Sequence, residues 1–79
     1  MKAIVHVTLR QSVLDPQGQA IERSLKSMGI AGVQSVRQGK TFEVVLDATD
    51  PSQAKDILKQ VSEKLLANTV IEDYAIQIL

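Results

Sequence analysis

Cysteine and tryptophan are absent from these 79 residues, which hold one histidine, one phenylalanine, one tyrosine and two prolines. Without cysteine no disulfide can form, and a single histidine cannot assemble an ordinary zinc site. Two aromatic side chains are too few for the stacking platform of an RNA-recognition sheet. Neither sign of charge prevails, nine basic residues facing nine acidic ones, which argues against a general polyanion binder. No apolar run approaches the roughly 18 to 20 residues of a membrane span, and the first residues lack the apolar core and small-residue cleavage site of a secretory signal. A cytoplasmic location is therefore expected.

What is present suits one small folded domain over residues 1–79. The chain is 44% hydrophobic, enough to collapse. A core of this size rarely supplies more than about 3–5 kcal/mol, and with disulfides and metal excluded, association with another subunit is the remaining source of stability. The balanced charge is unevenly laid out. Lys2, Arg10, Arg23, Lys26, Arg37 and Lys40 make residues 1–40 basic, whereas Glu43, Asp47, Asp50, Asp56, Glu63, Glu72 and Asp73 make the remainder acidic.

Residues 2–10 alternate, with Ala3, Val5, Val7 and Leu9 on one face of a strand. Asp15-Pro16 supplies an N-cap and a first-turn proline for a helix with Ile21, Leu25 and Met28 at helical spacing, which Gly29 ends. A second strand is predicted over Val33 to Val36. A third, with Phe42, Val44 and Leu46, is joined to it by a hairpin at Gln38-Gly39-Lys40, which keeps Val36 and Phe42 on one face. Asp50-Pro51 opens a second helix with Ala54, Ile57, Leu58, Val61 and Leu65 on its apolar stripe. Asn68 is expected to stop it in a left-handed conformation, and Tyr74, Ile76 and Ile78 alternate in a last strand. The order is βαββαβ, an α+β ferredoxin-like sandwich whose antiparallel sheet carries two helices on one face. The other face shows Ile4, His6, Thr8, Val45, Ala75 and Leu79, too apolar to be left in water, and Ile4, His6, Thr8 and Val45 are the candidates for a dimer interface.

Chemistry is hard to place. His6 lies mid-strand without an orienting partner. The serines have no nucleophile-elbow motif around them. Glu72 and Asp73 are adjacent on a strand, point to opposite faces and cannot jointly ligate an ion. The glycines at 29 and 32, and the Pro16-Gln17-Gly18 turn, lack the spacing and lysine of a phosphate loop. Catalytic, cofactor and metal residues are accordingly expected to be absent. Arg37 and Lys40 beside Gly39 could hold a phosphate or a partner's carboxylate.

Three segments carry a family resemblance. Val13 to Gly18, Val36 to Lys40 with Glu43, and the run Lys64-Leu-Leu-Ala-Asn-Thr-Val-Ile-Glu-Asp-Tyr74 resemble PurS, the small subunit of phosphoribosylformylglycinamidine synthase in its multi-subunit form. The resemblance spans essentially the whole chain. It implies a non-catalytic assembly subunit of an ATP-dependent ligase in the fourth step of purine synthesis, bridging a PurQ-like glutaminase and a PurL-like synthetase and supporting ammonia transfer between them. ATP and magnesium would belong to the synthetase, and the chain itself would bind no cofactor, nucleic acid or membrane. A homodimer, or a tetramer built from it, is implied. Arg37, Lys40, Asn68, Glu72, Asp73 and Tyr74 are the partner-interface candidates, because family-like residues gather there without a folding explanation for all of them. The competing expectation is a regulatory module similar to an amino-acid-binding ACT domain, with ligand held by the loop Gln11 to Leu14.

Overall fold

The alternating apolar residues of the first segment form strand β1 (Lys2–Leu9), the centre of a three-stranded sheet in the order β2-β1-β3. The computed structural model describes residues 1–79. Strands β2 (Gly39–Val45) and β3 (Glu72–Ile78) both run antiparallel to β1. The register opposes Val5 to Phe42 on one side and to Ile76 on the other, and Val7 to Lys40 and Tyr74. One face therefore gathers Ala3, Val5, Val7, Phe42, Val44, Tyr74, Ile76 and Ile78. Met1 and Leu46 extend the β1/β2 ladder by exchanging two backbone hydrogen bonds of 2.9 and 2.7 Å.

Both helices begin where the aspartate-proline pairs direct. Helix α1 (Pro16–Ser27) is capped by Asp15, whose carboxylate accepts from the Gly18 N–H at 3.0 Å; α2 (Pro51–Val61) is capped by Asp50, which accepts from the Ser52 N–H at 3.0 Å. Gly29, at φ 74°, ends α1 as expected: its N–H donates to the Lys26 carbonyl and that of Ile30 to the Leu25 carbonyl.

The core is small. Ala3, Val5, Val7, Leu58 and Ala67 form its fully buried cluster, with Phe42, Val44, Leu46, Leu66, Tyr74, Ile76 and Ile78 packed around it. Helix α2 lies over β3, whereas α1 has no substantial packing against any strand or against α2. The chain is consequently long and thin, 49 × 25 × 14 Å, with a radius of gyration of 15.9 Å, where a compact chain of this length would have about 12 Å.

The α+β class, the antiparallel sheet and the ferredoxin-like core agree with the sequence reading, but three details differ. Residues 33–38 pair with no strand and β2 begins at Gly39, so the hairpin does not form and only one helix covers the sheet. Asn68 is not left-handed, since no non-glycine residue has positive φ; its side chain instead accepts from the Val70 N–H at 3.2 Å in an Asx turn. Leu65 is 79% exposed while Leu66 packs on the core. The cause is a π-helical turn over Ser62–Leu66, closed by a 2.9 Å bond from the Ala67 N–H to the Ser62 carbonyl, which adds a residue to the turn and rotates Leu65 outward.

Candidate functional site: a charged sheet end and the joint behind it

At one end of the sheet, the C-terminus of β1 and the starts of α1, β2 and β3 surround a cleft of about 270 Å³ lined by Val7, Leu9, Asp15, Gln38, Lys40 and Glu72, among others. Parity places its charges. Leu9 opposes Glu72 and Val7 opposes Lys40, so Lys40 and Glu72 share the helix-side face and pair across β1 at 3.6 Å. Asp73 falls on the opposite face and pairs with Arg10 at 3.7 Å. The separation of Glu72 from Asp73 is the one expected of neighbours on a strand.

The run before β3 is held to this end by its own polar groups. The Glu72 carboxylate accepts from the Asn68 N–H at 2.7 Å, and the Asn68 carbonyl accepts from Ile71 and Glu72. The Arg10 guanidinium donates to the Thr69 carbonyl. The Tyr74 hydroxyl donates to the Glu63 carboxylate at 2.8 Å. That negative partner, reinforced by partial burial, raises the Tyr74 phenol above its ordinary range.

Behind the cleft lies a joint that the sequence did not reveal. Asp15, 3% exposed, accepts from the Gly18 N–H through one oxygen and from the Gln38 N–H at 2.6 Å through the other. The Gln38 bond first, and the Gly18 bond second, hold its carboxyl below the ordinary aspartate value, with the Arg37 guanidinium adding to them and burial opposing them. Glu22 accepts from the Val36 N–H at 2.9 Å, and the Gln38 side chain donates to that of Gln17 at 2.8 Å. Arg37 donates to the Arg10 carbonyl at 2.9 Å and more weakly to that of Leu9 at 3.4 Å. Gly18 admits no side chain, because a Cβ there would fall on the Val36 carbonyl oxygen. The start of α1 and residues 36–38 are thus bound side by side.

Of the partner-interface candidates, Lys40, Asn68, Glu72, Asp73 and Tyr74 meet at the charged end, while Arg37 turns back into the joint. Asp15 is legible as a cap from Asp-Pro, but its bond to a residue 23 positions away leaves no signature in a single sequence, and neither does that of Glu22. Ile4, His6, Thr8 and Val45 share the face away from α2, Val45 76% exposed. That face is more polar than expected: Lys2 and Glu43 form an ion pair across it at 3.0 Å, and His6 and Gln77 lie within 3.4 Å of each other.

The family model described as PurS: Phosphoribosylformylglycinamidine (FGAM) synthase matches residues 2–79. The PurS subunit of phosphoribosylformylglycinamidine synthase from Mycobacterium leprae (strain TN) is 53% identical over 76 residues, covering 95% of this chain and 91% of that one. The crystal structure of Bacillus subtilis PurS superposes with a TM-score of 0.86 at 47% identity, over 96% of this chain and 94% of that one. A chain of the PurLQS structure from Thermotoga maritima superposes with a TM-score of 0.91 at 35% identity, over 99% and 95% of the two chains.

Proposed function

The chain belongs to the PurS family, and on that premise we propose that it joins a PurQ-type glutaminase to a PurL-type synthetase and supports passage of ammonia between them. It is a subunit of phosphoribosylformylglycinamidine synthase, a ligase of purine biosynthesis, and an assembly component of it. The observation that carries the bridging role is the full-length superposition on a chain of the PurLQS assembly. The same likeness displaces the amino-acid-binding regulatory module as an alternative.

The physical requirement is containment. Ammonia that escapes into water is protonated and diluted, so the site that releases it and the site that consumes it must be held in fixed, water-excluding geometry. ATP and magnesium act in the synthetase, and the complex works in the cytoplasm. The charged end carrying Lys40, Asn68, Glu72, Asp73 and Tyr74 is the surface we assign to the larger subunits, with Arg37 bracing it from the joint. Its mixture of signs suits local charge matching more than attraction to a polyanion. The chain acts as a homodimer, and the face bearing Ile4, His6, Thr8 and Val45 is the contact between its two copies.

The test mixes the purified chain with the glutaminase and synthetase and follows ADP formation, first with glutamine and then with ammonium as nitrogen donor. Omitting the chain should abolish most of the glutamine-dependent rate and spare more of the ammonium-dependent one. Lys40→Ala at limiting subunit concentration should lower the glutamine-dependent rate several-fold. Equal rates with and without the chain would refute the coupling role.

A further inference from the structure

Arg10 is the first residue beyond β1, at the point where the chain leaves the sheet for the arm of residues 14–38. It is an exposed basic residue at a strand end, the kind most often left in water. Here its amide, its carbonyl and its guanidinium are all engaged. The amide donates to the Ile71 carbonyl at 2.9 Å, extending the β1/β3 ladder by one residue. The carbonyl accepts from the Val13 N–H at 2.9 Å and from the Arg37 guanidinium at 2.9 Å, which ties it to the entry of α1 and to the joint. The guanidinium donates to the Thr69 carbonyl and pairs with Asp73 at 3.7 Å.

The segment it grips has little other hold on the molecule. Within the turn before β3, the Val70 amide is bound by the Asn68 side chain and the Ile71 and Glu72 amides by the Asn68 carbonyl. These bonds shape the turn without attaching it to the sheet. Both hydrogen bonds from residues 69–71 to the rest of the chain come from Arg10, one through its backbone and one through its side chain. From the other face Lys40 reaches only Glu72, as an ion pair at 3.6 Å. A point charge at that separation fixes direction poorly, whereas a planar guanidinium set between a carbonyl and a carboxylate fixes it well. The turn so held presents Val70, 79% exposed, beside Asp73.

We propose that Arg10 is a positioning residue for the glutamine-dependent reaction: its side chain holds the turn Asn68–Glu72 in the orientation that the larger subunits bind. This rests on the bridging role proposed above and adds the residue that prepares the contact surface. A turn free to swing on the sheet end would have to be ordered at the moment of association, and that ordering weakens binding; one already held loses nothing. Arg10 therefore acts on affinity for the assembly through residues 69–73, and the chemistry in the synthetase is indifferent to it once the complex is full.

The experiment titrates the chain into the glutaminase and synthetase and reads glutamine-dependent ADP formation. Arg10→Ala should raise the concentration giving half the maximal rate about tenfold, and lower the rate at saturation less than about twofold. Arg10→Lys, which still offers a charged donor to Thr69 and Asp73, should recover most of the affinity. In the chain alone, amide exchange of Ile71 and Glu72 followed by NMR should quicken at least about threefold in Arg10→Ala and return toward the unaltered rate in Arg10→Lys. If Arg10→Ala loses the native circular dichroism, Arg10→Met keeps the aliphatic stem without its donors and carries the same expectations. An unaltered half-saturating concentration, or one raised equally by lysine, overturns the role of Arg10 and leaves the bridging role standing. A raised concentration with unaltered amide exchange also overturns it, since Arg10 would then touch the partner directly. An unaltered chain that gives no stimulation at any concentration overturns the bridging role and this inference together.

Discussion

Asp15 concentrates several duties in one side chain. It caps α1, binds the Gln38 amide and stands beside Arg37, all at 3% exposure. Its folded-state pKa lies below the ordinary value of 3.8, so the charged carboxylate contributes stability that is fully present above about pH 4 and is lost as pH falls through the folded value. Asp15→Asn should therefore lower stability at neutral pH and flatten its decline below about pH 4, measured as urea midpoints through the acid range. An unchanged acid profile in the variant would show that the carboxylate does not control the joint. Arg37 illustrates the limit of reading single residues: a basic side chain beside a glycine looks available to a partner, yet its guanidinium is turned onto the Arg10 and Leu9 carbonyls.

Among the elements, legibility followed how local the determinants are. Both helix starts, the stop at Gly29, β1 and β3 and the parity of Glu72 and Asp73 rest on neighbours within a few residues, and those were readable. The end of α2 was not, because a periodic apolar stripe continues through Leu65 whether or not the helix widens. The π turn makes Leu66 the core residue, so Leu66→Ala should cost about 1–2 kcal/mol and Leu65→Ala less than about 0.5 kcal/mol. Chemical denaturation of the two variants measures both, and equal losses would contradict the turn. The second strand shows a different limit. The alternation through Val33 to Val36 and the glycine at 39 suggest a hairpin, but the Val36 and Gln38 amides are bound by Glu22 and Asp15 beside α1, and residues 33–38 pair with no strand of the chain. Of the candidate site, the cluster from Asn68 to Tyr74 with Lys40 was found from the sequence, while Asp15, Glu22 and Gln38 were hidden by their separation along the chain.

Taken whole, the molecule is a thin slab with an arm, and six buried apolar residues are all the core that one copy makes. Helix α1 has no substantial packing against any strand or against α2, so stability should depend on concentration. Raising the chain from about 1 to 100 μM should lift the thermal midpoint by several degrees, as mass action requires of a dimer with little stable monomer; a midpoint independent of concentration across that range would mean that one copy is sufficient.

The open β2 edge and the bare face of α1 have a cellular consequence as well. A copy without company offers an unpaired strand for aggregation and a loosely held helix to proteases. Surplus single copies would be cleared while paired ones persist.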